Sequence, residues 1–173
     1  ITCLTKAIGG GLPMGVTLAR DDLKGFNSAE EHSTFGASPL MFVSSLVFMN
    51  YVEKANLLEN ARTLGKYLTD KLKQLQKKYD VIGDIRGPGF FIGVELVKDP
   101  ETKEPANALC DDTIEEAKNQ GVIFGQSAPI TSDSGKLYRN VLKIKPPLIL
   151  NKEDCDHIIE VFESSLEEGI DYM

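Results

Sequence analysis

Between positions 56 and 79 apolar side chains recur at three- and four-residue steps. Leu57, Leu58, Ala61, Leu64, Leu68, Leu72, Leu75 and Tyr79 form one stripe, and Lys, Arg, Asp and Gln fill the opposite side. That period predicts an amphipathic helix with a single buried face. A second helical stretch, over 40–52, is built differently. Leu40, Met41, Phe42, Val43, Leu46, Val47, Phe48, Met49, Tyr51 and Val52 cover most of its circumference, so burial on both faces is expected. Ser38-Pro39 marks its start, because proline costs nothing in the first turn of a helix. Two more helices are predicted. One runs over 107–120 and is ended by Gly121. The other follows Asn151 as its cap, with Glu153 and Asp154 in the first turn and Cys155, Ile158, Ile159, Phe162 and Leu166 facing inward.

Between these helices lie short runs of β-branched and aromatic residues. Residues 1–20 read as two short strands around a Gly-Pro turn, the second being Val16-Thr17-Leu18-Ala19. Phe90–Val97, Val122-Ile123-Phe124 and the alternating Val141-Leu142-Lys143-Ile144-Lys145 read as three more. The segment 25–39, rich in Gly, Asn, Ser and Pro, is expected to be a loop, and the polar segment 126–139 an exposed or mobile one. The resulting order beyond the first two strands and the apolar helix is helix, strand, helix, strand, strand, helix. It predicts an α+β layer in which helices cover one face of a small, mainly antiparallel sheet. The chain divides at about residue 50, into 1–50 and 51–173.

Composition narrows the function classes. The 173 residues are 42% hydrophobic and 26% charged, an ordinary balance for packed domains, and suit one domain or one small domain with part of another. A net charge of -7 argues against a nucleic-acid partner, which requires a basic footprint. No apolar run approaches the roughly 20 residues of a membrane span. Cys3, Cys110 and Cys155 are odd in number and scattered, so they read as reduced structural thiols. With two histidines in the chain, a zinc site is not expected.

The residue that stands out chemically is Lys6, in Leu4-Thr5-Lys6-Ala7-Ile8-Gly9-Gly10-Gly11-Leu12-Pro13. Three glycines after a single cation leave room for a ligand close to the main chain. A lysine amine beside a carbonyl compound can form a Schiff base if its neutral form is accessible. A free amine titrates near 10.4, so such a role calls for burial or a neighbouring cation. The plainer alternative is a strand ending in a glycine turn, with Lys6 solvated.

Three further blocks follow in order. They are His32-Ser33-Thr34-Phe35-Gly36-Ala37-Ser38-Pro39, then Gly83-Asp84-Ile85-Arg86-Gly87-Pro88-Gly89, then Asn140-Val141-Leu142-Lys143-Ile144-Lys145-Pro146-Pro147-Leu148. With the Lys6 block, this order and spacing resemble the class III aminotransferases of the ornithine, GABA and alanine–glyoxylate type. These are pyridoxal-phosphate (PLP) enzymes of fold type I. The resemblance covers nearly the whole chain. It implies an α/β fold: the end of the large PLP-binding domain, a long interdomain helix, and a small C-terminal α+β domain. Because the chain starts just before Lys6, it also implies a C-terminal portion, inactive alone. The family's upstream phosphate-binding turn, ring-stacking aromatic and pyridine-pairing Asp have no counterpart in it.

The resemblance assigns roles residue by residue. Lys6 corresponds to the lysine that bonds to PLP and afterwards carries the proton, and Thr34 to a threonine that donates to the PLP phosphate from the neighbouring subunit. Arg86 corresponds to the Arg of the Arg-Gly-x-Gly block, and bracing of the turn is its plain role. Lys143 stands where many members place an Arg that grips the substrate carboxylate. Lys145 shares its strand face, and Arg139 would join them if the alternation extends back. The implied activity is transfer of an amino group from an amino acid or amine to a 2-oxo acid or aldehyde, in a homodimer with a shared active site. The implied location is the cytoplasm or mitochondrial matrix. Lys143 also fits a PLP-dependent ammoniophospholyase branch acting on ethanolamine phosphate or phosphohydroxylysine. A non-catalytic interaction domain is a third possibility.

Overall fold

The computed structural model describes residues 1–27, 30, 34, 36 and 38–171. The chain forms two compact units that divide between Leu57 and Leu58.

In the first unit, β1 (Thr2–Thr5) pairs antiparallel with β2 (Gly15–Leu18), Thr2 opposite Leu18 and Thr5 opposite Gly15. One 3-10 turn, Lys6–Gly9, joins them, followed by Gly10 and Gly11 at φ 59° and 97°. Helix α1 (Pro39–Lys54) starts on its proline as expected. The expected burial on both faces is not found. Leu40, Phe42, Val43, Leu46, Val47, Met49 and Tyr51 are exposed, and among the helix's residues only Ser45 is fully buried. Within its unit the described residues supply only the short β1–β2 turn as a packing partner, and an apolar circumference is buried only where neighbouring surface exists to cover it. Of the expected loop 25–39, residues 28, 29, 31–33, 35 and 37 lie outside the described residues.

The second unit holds the core. Its elements are α2 (Leu57–Lys78), β3 (Ile82–Arg86), β4 (Ile92–Leu96), α3 (Asn107–Asn119), β5 (Gly125–Gln126), β6 (Ile130–Thr131), β7 (Leu137–Tyr138), β8 (Val141–Ile144) and α4 (Lys152–Asp171). The sheet runs β3-β4-β8-β5, antiparallel throughout. Ile92, Val94, Leu96, Leu142 and Ile144 point into one cluster with Leu68 and Leu72 of α2, Leu109 of α3 and Phe162 and Leu166 of α4. The helices therefore cover one face, as the pattern predicts. The cap of α4 is also as expected: Asn151 Oδ1 accepts from the Asp154 N–H at 2.8 Å, and Asp154 Oδ2 accepts from the Asn151 N–H at 3.1 Å.

Three local expectations are corrected. β3 is a strand that the alternation does not reveal. The register shifts between Ile82 and Asp84, so Ile82 and Ile85 both reach the core across a bulge and the two-residue period is lost. Val122-Ile123-Phe124 is not a strand; pairing with β8 begins only at Gly125. Its apolar run instead anchors Phe124 edge-on against Phe162, with ring centroids 6.1 Å apart, while Ile123 is 84% exposed. Finally, the polar segment 126–139 contains a small hairpin, β6 paired with β7. Its polar and turn-forming composition hid two-residue strands from a pattern reading.

Candidate active site

Lys6 opens the 3-10 turn just after β1 with φ 65°, one of three non-glycine residues in the left-handed region among the described residues, with Asn56 and Lys103. Such a conformation costs about 1 kcal/mol or more and often marks function. Lys103 shares it in a surface turn, so conformation alone decides nothing. Two further features set Lys6 apart. Lys6 is exposed, so the burial that such a role calls for is not met among the described residues, and its amine has no hydrogen-bond or ion-pair partner there. The turn that presents it is pinned to α1, where the Ser44 hydroxyl donates to the Gly9 carbonyl at 2.9 Å and reaches the Gly10 carbonyl at 3.3 Å. Gly10 makes that approach possible, because a Cβ there would lie 2.7 Å from Ser44 Oγ and 2.8 Å from the Ser44 carbonyl. Gly11 faces open space. Beside this turn lies an apolar cavity of about 570 Å³, bordered by Ala7, Gly10, Gly11, Phe48 and Tyr51 among others. Ser44 is a site-supporting residue that sequence reasoning missed, since a lone serine in an apolar helix carries no pattern.

Thr34 is exposed, and its immediate neighbours 33 and 35 lie outside the described residues.

The second unit brings several cations to the sheet face opposite its helices. Arg86 is engaged there: its Nη1 donates to Asp84 at 2.6 Å and to Glu95 at 2.7 Å. These two carboxylates hold its guanidinium firmly charged, with Glu95 contributing most. The pairs brace β3 against β4. Lys145 lies with its Nζ 5.6 Å from the centre of the Phe91 ring. Lys143 is half-buried on β8, opposite Gly93 on one side and Gly125 on the other, and its ammonium has no partner among the described residues.

Arg139 does not join that face, because β8 begins only at Val141 and Arg139 lies before it, outside the strand. The Asn140 side chain is buried and donates to the Leu96 carbonyl at 2.6 Å. Arg139 instead turns toward α3, pairs through Nη2 with Asp111, and takes its backbone hydrogen bond to Asn107 Oδ1 at 3.0 Å. Gln126 completes the cluster, donating to Asp111 Oδ1 at 2.7 Å and to the Arg139 carbonyl at 2.9 Å. One helical turn thus clasps both ends of the β6–β7 segment. Asn107, Asp111 and Gln126 were not legible as partners, because they meet Arg139 only through the sheet order.

The profile of the family described as Aminotransferase class-III matches residues 1–166. This chain belongs to the class-III aminotransferase family. Among its class-III relatives is the Arabidopsis thaliana protein named alanine–glyoxylate aminotransferase 2 homolog 2, mitochondrial. It is 35% identical across 97% of this chain and 34% of its own length. The Caenorhabditis elegans ethanolamine-phosphate phospho-lyase homolog 1 is also 35% identical, across 96% of this chain and 34% of its own. Among solved structures, an aminotransferase of Bacillus anthracis superposes with a TM-score of 0.85 at 29% identity, over 96% of this chain and 38% of that one. The chain therefore spans about a third of the length of the curated relatives it matches. The fold expected of a class-III C-terminal portion is the fold observed. No helix among the described residues is long and apolar enough to cross a membrane.

Proposed function

We propose that the protein carrying this chain is a PLP-dependent aminotransferase in which Lys6 is the residue bonded to the cofactor. The observation that carries this reading is the Lys6 turn: an unpaired amine held at a strand end, followed by glycines that leave it open, in a chain of the class-III family. These features fit an aldehyde-bearing cofactor, which needs a free amine and unobstructed backbone beside it. PLP, when bound, supplies an electron sink for the carbon that bears the amino group. Lys6 Nζ would hold the cofactor through its aldehyde carbon and, when free, would take the proton from the substrate α-carbon. Thr34 offers a hydroxyl to the cofactor phosphate bound by a second copy of the chain in a homodimer, and the uncovered apolar side of α1 supports such a partner. Lys143, the unpaired ammonium of its sheet face, holds the anionic group of the substrate. Residues 1–50 form the end of the large domain and 51–173 the small domain.

Borohydride reduction of the PLP-treated protein, expressed from its whole gene, tests the reading. Peptide mapping is expected to find the pyridoxyl group on Lys6, and Lys6→Ala is expected to abolish both the label and turnover. An unlabelled Lys6 leaves the non-catalytic reading standing. A second chemistry is favoured by the Caenorhabditis relative and by lysine rather than arginine at 143, namely expulsion of phosphate from an amino-alcohol phosphate. A guanidinium binds carboxylate with two parallel hydrogen bonds, whereas an ammonium acts as a point charge that suits phosphate equally well. Phosphate release from phosphoethanolamine without any oxo-acid acceptor would decide for it.

A further inference from the structure

We propose that Gly125 sets the reach of Lys143 and thereby determines how tightly this sheet face holds the anionic group of a substrate; this rests on the reading of Lys143 given above. Gly125 is not among the glycines with left-handed backbone, so its conformation is open to other residues. Packing does not demand glycine there either. A Cβ at 125 would meet Lys143 Cβ at 3.5 Å and Lys143 Cε at 3.6 Å, ordinary contact distances.

The second distance is the informative one. Cβ and Cε are the two ends of the lysine stem, and both lie against the same glycine. The stem therefore lies down across β5 instead of standing off the sheet, and it carries the ammonium toward the β5 side. On the other flank no Lys143 atom comes within 4 Å of a would-be Cβ at Gly93, whose neighbours are Val141 and the Arg86 carbonyl. The other cations of the face are occupied, Arg86 by Asp84 and Glu95, and Lys145 by the Phe91 ring. Lys143 is thus the uncommitted cation among the described residues of this face, and what stands at position 125 decides its direction. Valine at 125 places two methyl groups where the stem runs. Lys143 must then take another rotamer, which displaces the ammonium while the strand register is kept.

The test uses Gly125→Ala, Gly125→Val, Lys143→Met and the double variant Gly125→Val/Lys143→Met, in the protein expressed from its whole gene. Each is assayed with phosphoethanolamine or an amino acid and with an uncharged amine of similar size. For the anionic donor, Gly125→Val is expected to raise KM about tenfold with kcat within about twofold, while the uncharged amine is unaffected. Gly125→Ala stays near the parent, and the double variant is no worse than Lys143→Met, because Gly125 acts only through the lysine. Acetylation of Lys143, mapped by mass spectrometry on the 173-residue chain, should change rate in Gly125→Val. If that variant does not fold, Gly125→Ser replaces it with a smaller effect in the same direction.

The outcomes separate cleanly. If Gly125→Val weakens both donors alike, or adds fully to Lys143→Met, or leaves the acetylation rate unchanged, Gly125 is merely structural and the proposal is wrong. If Lys143→Met raises KM while Gly125→Val does nothing, the proposal fails and the role of Lys143 survives. If Lys143→Met has no effect on the anionic donor, both fall.

Discussion

Gly10 shows how much of the Lys6 turn depends on one missing side chain. Its φ of 59° costs an L-residue roughly 1 kcal/mol, and any Cβ would run into Ser44. Gly10→Ala is therefore expected to detach the turn from α1 and to slow pyridoxyl labelling of Lys6 at least about fivefold, whereas Gly11→Ala, which meets only open space, is milder. The rate of borohydride trapping measures both. Cysteines give a second prediction. Cys3 is exposed and Cys110 and Cys155 are buried, so one thiol should react promptly with a disulfide reagent and two only after denaturation. Burial, reinforced by nearby aspartates, pushes both buried thiols up to about 11 from an ordinary 9.0. A pKa raised in the folded state means that the neutral thiol is what the fold favours. That contribution is complete below pH 9 and is lost as pH rises toward 11. Thermal melts over this window should fall less steeply for Cys110→Ala than for the parent.

At the scale of elements, α2 is tied to the turn after β3 by close contact of two glycines. Alanine at an exposed helix position is worth about 1 kcal/mol over glycine, yet a Cβ at Gly65 would overlap the backbone of Gly89. The clash outweighs the propensity, so Gly65→Ala should destabilise by about 2 kcal/mol or more, read as a lower urea midpoint. The clasp on α3 makes a separate prediction. Asp111 receives both Arg139 and Gln126, and these residues flank the hairpin β6–β7. Asp111→Ala should raise hydrogen exchange in 127–138 while leaving exchange in α2 and α4 unchanged. Protection retained in that segment would show that the hairpin holds itself.

The whole chain is unevenly stabilised. The hydrophobic cluster draws its buried residues from Leu68 to Leu166, all in the second unit, while the first unit exposes most of the apolar residues of α1. In the isolated 173-residue chain, slowly exchanging amides are expected to be confined to 58–171, with 1–57 exchanging near its unfolded rate. Protection in α1 equal to that in α4 would contradict this. Much of the fold was legible beforehand. The 3.6-residue period placed α2, the cap at Asn151 placed the start of α4, and alternation placed β8. β3 was hidden because a bulge spoils a two-residue period, and the hairpin because its strands are too short to have one. The family was legible because the Lys6 block and three distant blocks stand in an order that resembles the class III aminotransferases, a membership the profile match then established. Local order along the chain is what sequence by itself determines: periods, caps and turns. Which cations are already neutralised is decided only in three dimensions. Arg86 and Arg139 find carboxylates on the sheet and on a helix, and Lys145 lies over the Phe91 ring, which does not cancel its charge, while Lys143 lies along Gly125 without a partner among the described residues. Charge pairing acts over a few ångströms of space, whatever the separation in sequence.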